Sequence, residues 1–97
     1  MRTLLKITIP VEGGNAAIQN GSLGKTMAEA LERLKPEAAY FLADNGLRTS
    51  LLVIDLKDPS DIPGIAEPFF HAFNAAVTFT PVMNADDLKS GLEKLKV

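Results

Sequence analysis

The chain contains no cysteine, no tryptophan, one histidine and one tyrosine. Without cysteine there is no disulfide, no thiolate metal ligand and no thiol nucleophile, and a reducing compartment such as the cytoplasm is the expected setting. The single histidine, His71, has no partner histidine or cysteine with which to hold zinc. No metal or other cofactor is therefore expected. Neither sign of charge dominates: ten basic and twelve acidic side chains leave a net charge of −2. That balance gives no electrostatic footprint for nucleic acid or an anionic membrane surface. No apolar run approaches a membrane span, and the first residues lack the charged, apolar, small-residue order of a signal peptide.

Of the 97 residues, 46 % are hydrophobic and 23 % charged, as in ordinary globular chains. The length suits one domain, residues 1–97, able to bury a core without staples. The period of the hydrophobic pattern divides this domain into elements. Leu4 to Val11 alternates, with Leu5, Ile7, Ile9 and Val11 on one face, and predicts a strand broken by Gly13-Gly14-Asn15. From Ala16 the spacing is helical: Ala16, Leu23, Met27, Ala30, Leu31 and Leu34 make one stripe, with a weak point at Asn20-Gly21 and an end at Pro36. Glu37–Asp44 and Leu47–Leu56 read as strands joined by Asn45-Gly46, the pair that a type I′ hairpin turn demands. A second helix runs to about Phe73 behind Ser60 as N-cap, with Pro68 bending it. Asn74–Val82 is the fourth strand, with Val77 and Phe79 on one side. Asn84 opens a last helix bearing Leu88, Leu92 and Leu95, with Lys94 and Lys96 at its end.

The order βαββαβ plus a C-terminal helix predicts an α+β, ferredoxin-like domain with a four-stranded antiparallel sheet. Two helices cover only one face of such a sheet, and the other face should then be polar. It is not, because Leu51 to Ile54 and Tyr40 to Leu42 are apolar on both sides of their strands. Exposing that surface would exceed the apolar patch usual for a monomer, so a two-fold homodimer, sheet against sheet, is expected. The alternative is that the C-terminal helix folds back over the face, or that strand three is only partly exposed.

Few motifs carry chemistry. Leu23-Gly24-Lys25-Thr26 resembles the end of a phosphate-binding loop, but Gln19 stands where its first glycine belongs, and the segment is read as plain helix. Asn20-Gly21-Ser22 matches a glycosylation sequon that means nothing without secretion. Glu67, His71 and Asn74 share a helix face, where a carboxylate can tune an imidazole for general-base work. The plainer reading is a solvated helix surface. Lys6, Thr8, Thr78 and Thr80, with Tyr40, Arg48 and Ser50 if register permits, could line a pocket for a small organic molecule. Here the plainer reading is that threonine is simply a good strand residue. Glu12 and Asn15 stand at the strand-to-helix mouth. Strand three lacks the aromatics of an RNA-recognition motif. A metal-transfer domain would need Cys-x-x-Cys, and an acylphosphatase an arginine after strand one; neither is present.

The opening strand LLKITIPV, the hairpin YFLADNGLRTSLLVIDL, the helix DIPGIAEPFFHAF and the ending VTFTPVMNADDL together resemble small, uncharacterised bacterial proteins of the dimeric α+β barrel superfamily. The resemblance spans nearly the whole chain but rests on structural motifs. It implies a homodimer, with a pocket between sheet and helices or near the interface. The superfamily includes cofactor-independent monooxygenases, muconolactone isomerase-like enzymes and haem-degrading oxygenases. The haem-degrading relatives use an asparagine on strand one, a tryptophan and a histidine, of which only His71 could correspond here. The expected function is thus binding of a small aromatic or lipophilic molecule. As an enzyme it would carry out cofactor-independent oxidation or isomerisation, with His71 moving a proton and Tyr40 and Thr8 orienting substrate. A non-catalytic ligand-binding, assembly or regulatory module is the alternative.

Overall fold

The computed structural model describes residues 1–95. Strand β1, Arg2–Ile9, is central: both of its edges are paired, and its alternation gives it one buried face that is apolar apart from Thr3. Strand β3, Leu47–Asp55, flanks it on one side and β4, Ala76–Pro81, on the other, both antiparallel. Strand β2, Ala38–Asp44, pairs antiparallel with β3, so the order across the sheet is β2-β3-β1-β4. Asn45 and Gly46 have φ of 53° and 77°, the two positive angles the hairpin turn requires. That two-residue turn sets Asp44 against Leu47 and fixes the register outward from there.

Helices α1 (Val11–Gln19), α2 (Ser22–Leu34) and α3 (Ile62–Phe73) share a core with one face of the sheet. Leu5, Ile7 and Ile9 of β1 and Leu52 and Ile54 of β3 meet Ala17, Met27, Ala30, Ala66, Phe69 and Phe73. Val77 and Phe79 pack against this cluster from β4. The result is an α+β molecule: a four-stranded antiparallel sheet and four helices, the fourth being α4, Ala85–Glu93.

Three local expectations need correction. The first strand stops at Ile9, and Gly13-Gly14-Asn15 lies inside α1; Val11 starts that helix and is half exposed. The two glycines serve close approach instead. A Cβ on Gly13 would stand 2.2 Å from the Phe73 carbonyl oxygen at the end of α3, so only hydrogen allows α1 to lie against that helix end. Ala17, not Ala16, carries the buried stripe of α1. The helical segment does break at Asn20-Gly21, where Gly21 has φ of 78° and α2 begins afresh. Finally, a 3₁₀ turn, Pro59–Asp61, precedes α3, and Asp58 rather than Ser60 caps it. The Asp58 carboxylate accepts from the Ser60 hydroxyl at 2.6 Å and the Ser60 N–H at 2.9 Å, which holds its pKa below the ordinary value. Helix α3 continues through Pro68 to Phe73.

Helix α4 does not fold back over the sheet. Asn84 caps it in a reciprocal box with Asp87, and its contacts with the other elements are sparse. Its tether is Arg2, which donates to Glu37 at 2.5 Å and to Asp87 at 3.3 Å. Leu88 and Leu92 of α4, and Leu95 beyond it, are exposed, and the molecule measures 55 Å along its long axis against 28 and 18 Å across. Lys96 lies outside the described residues.

Replacing Gly13 by alanine is expected to destabilise the fold by roughly 1–3 kcal/mol through overpacking. Gly24→Ala, where a Cβ meets nothing within 4 Å, should instead stabilise it by up to about 1 kcal/mol. Urea denaturation of the two variants, which expects midpoints moving in opposite directions, checks both.

Candidate ligand-binding site

Register decides which polar side chains meet. On the face away from the core, Tyr40 lies across from Leu51, Leu51 from Lys6, and Lys6 from Thr78. The next row is Ala38, Val53, Leu4 and Thr80; the row beyond Lys6 is Leu42, Thr49, Thr8 and Ala76. Thr8, Tyr40, Thr78 and Thr80 therefore share one face, with Thr8 diagonal to Thr78 rather than beside it. Tyr40 is 66 % exposed, and Leu4, Leu51 and Val53 are only half buried. Lys6 reaches Asp44 at 3.0 Å, and Thr49 donates to the Leu47 carbonyl.

Arg48 and Ser50 do not join that face. The turn sets Ala43 against Arg48 and Phe41 against Ser50, and both pairs have the parity of the core side. They line a cleft of about 410 Å³ between α2 and the β2–β3 hairpin. Its walls are Ile9, Leu23 and Met27 on one side and Phe41, Leu42 and Ala43 on the other. This is within the volume range of small-molecule sites, and the walls are apolar as such sites require. Phe41 is 56 % exposed, a large aromatic that the packed interior leaves at the rim.

The polar groups of the cleft are held in place. The Arg48 guanidinium donates to the Asn15 side-chain oxygen at 3.0 Å and, at 3.5 Å, to the Val11 carbonyl. Gly14 makes room for it, since a Cβ there would lie 2.6 Å from the Arg48 Nη1. Ser50 is 3 % exposed. Leu23 and Met27 carry a helical stripe that reads as core alone, and the register does not permit Arg48 and Ser50 to join the threonine face. The signal that could have placed Arg48 is Asn45-Gly46 itself, because a two-residue turn dictates the parity of every residue that follows.

Glu67, His71 and Asn74 lie elsewhere. His71 Nε2 stands 3.0 Å from a Glu67 carboxylate oxygen one helical turn back, and the His71 side chain is 82 % exposed. Asn74, with φ of 54°, ends α3, its N–H bonded to the Phe70 carbonyl. None of the three lines the α2–hairpin cleft or two further surface clefts, one of them larger at about 560 Å³. Of those, one sits at the root of α4 around Arg2, Val82 and Asp87, the other between α2 and α3 around Arg33, Asp55 and Ile65. Arg2 has its pKa raised, chiefly by its hydrogen bond and charge pairing with Glu37 and further by Asp87.

Compared with family models, curated proteins and solved structures, the chain matches none. Among the described residues no group of three or more histidine, aspartate or glutamate side chains could hold a metal ion, and no helix is long and apolar enough to cross a membrane.

Because the His71–Glu67 pair is solvated, His71→Ala should change stability by less than about 0.5 kcal/mol. A thermal melt shifted by several degrees would show instead that the pair supports the fold.

Proposed function

We propose that the chain is a homodimer of ferredoxin-like subunits, arranged like the dimeric α+β barrel proteins it resembles, and that it binds a small, largely apolar organic molecule. Ligand binding is carried by one observation, the apolar cleft between α2 and the hairpin with its oriented polar floor. A cleft of this volume lined by Leu23, Met27 and Phe41 favours an aromatic or branched aliphatic body.

The dimer rests on the opposite side of the sheet. Tyr40, Leu42, Leu51, Val53 and Leu4 form a continuous apolar band that no helix among the described residues covers, and α4 presents Leu88 and Leu92 to solvent just after Asp87, the residue that Arg2 tethers. A second copy would remove both from water at a gain of roughly 25 cal/mol per Å² of apolar area. In that assembly Thr8, Tyr40, Thr78 and Thr80 belong to the surface between protomers, with Lys6 already neutralised by Asp44.

The geometry supports binding more directly than catalysis. The one favourable pairing for proton transfer is Glu67–His71, and it serves chemistry only if the partner protomer covers it. Cofactor-independent oxidation or isomerisation is the enzymatic form of the reading under that condition. Otherwise the chain is a binding or regulatory module.

Sedimentation at micromolar concentration is expected to give a dimer, and Leu51→Glu to give a folded monomer with unchanged far-ultraviolet circular dichroism. A monomeric wild-type chain would overturn the assembly.

A further inference from the structure

Resting on the reading of the α2–hairpin cleft as a ligand site, we infer that its ligand is a carboxylic acid, bound with the carboxylate on Arg48 and Ser50 and the apolar body against Leu23, Met27 and Phe41. The inference begins with charge. Arg48 is half buried at the cleft, and among the described residues no carboxylate lies within 4.0 Å of it, whereas Arg2 and Lys6 each have an acidic partner. Its present acceptors, the Asn15 amide oxygen and a backbone carbonyl, are neutral. They orient the guanidinium without satisfying its charge. An always-charged group held rigidly at the edge of an apolar cleft binds a planar anion well, because its parallel N–H groups match both carboxylate oxygens.

Ser50 supplies the second observation. The residue is 97 % buried by its 3 % exposure, it lines the cleft, and its hydroxyl takes part in no hydrogen bond among the described residues. Among the described residues no side-chain nitrogen or oxygen sealed from solvent is left without a partner. The unpartnered Ser50 hydroxyl therefore opens onto the cleft, where it can donate to a ligand oxygen. Placing a polar residue at a core-parity position of a central strand costs stability unless something bonds to it.

The class of anion follows from what surrounds Arg48. Among the described residues no second lysine or arginine lines the cleft, so one negative charge is matched, and a doubly charged phosphate is not. Leu23, Met27, Ile9 and Phe41 would leave a second polar group on the ligand unbonded, so the body is apolar. Gly14 enters as a positioning residue: it touches the guanidinium, and a methyl group there would displace it from Asn15.

The test uses the intact chain, phenylacetate and its neutral isostere phenylacetamide, followed by amide NMR spectra. Phenylacetate should shift the resonances of Leu23, Met27, Arg48 and Ser50 and bind roughly ten- to hundred-fold more tightly than the amide, as expected for a charge-assisted hydrogen-bonded pair. Arg48→Gln should abolish that preference while leaving weak binding of both probes, and Ser50→Ala should reduce it several-fold. The dispersed spectrum of each variant reports that it is folded, and the comparison of the two probes on the wild-type chain stands if Arg48→Gln does not fold. Equal binding of acid and amide in the cleft overturns the carboxylate assignment and leaves the ligand site. Shifts from neither probe at millimolar concentration overturn both.

Discussion

Strand β1 is paired along both edges, and its side chains alternate between a face that three helices cover and a face that no helix among the described residues covers. Almost everything else depends on this asymmetry. Thr3, Leu5, Ile7 and Ile9 are buried because they project toward the helices; Leu4, Lys6 and Thr8, one residue away, are not. The hairpin extends the same division across β3 and β2, so a single register sorts Leu52 and Ile54 to the core and Leu51 and Val53 to the open side. Slipping that register by one residue would exchange Leu51 and Leu52 between the faces, and since both are apolar it is the two-residue Asn45-Gly46 turn that forbids the slip.

The helical layer is held down at one end by missing side chains. Gly13 lets α1 touch the Phe73 carbonyl, and the adjacent Gly14 lets Arg48 cross the start of the same helix. These contacts tie α1 to α3 and to β3 within two residues. At the other end the layer is looser: α2 is joined to α1 through the left-handed Gly21 and stands off the edge of the hairpin, leaving the cleft.

Much of this was legible in the residues. Asn45-Gly46, the alternation of β1, the Asn84 cap and the helix break at Gly21 all follow from local chemistry, and the structure has each of them. Gly13-Gly14 was not legible, because the same dipeptide suits a loop as well as a tight helix contact, and only the tertiary partner distinguishes them. The exposed apolar side of β2 and β3 was legible as composition but not as geometry. For the candidate site, sequence grouped Thr8, Tyr40, Thr78 and Thr80 on one face, which the register gives, but it added Arg48 and Ser50, which the register places opposite. Glu67 and His71 meet as their spacing implies, yet away from the cleft, since helical phase says which residues are neighbours and not what the helix faces.

The two faces of the hairpin also make unequal demands on chemistry. On the open side the polar groups are threonine and tyrosine hydroxyls among aliphatic side chains, with Lys6 closed on Asp44, an arrangement that tolerates being covered by a like surface. On the core side one cation lies against neutral acceptors and one buried hydroxyl lacks a partner. Covering the first side needs only shape and apolar area, so a second copy of the chain suffices. Satisfying the second needs an acceptor placed within the cleft, which a small molecule can supply. On the proposed reading, assembly and ligand binding use opposite faces of the same strands and adjoin at Leu42, which belongs to the open face and also borders the cleft.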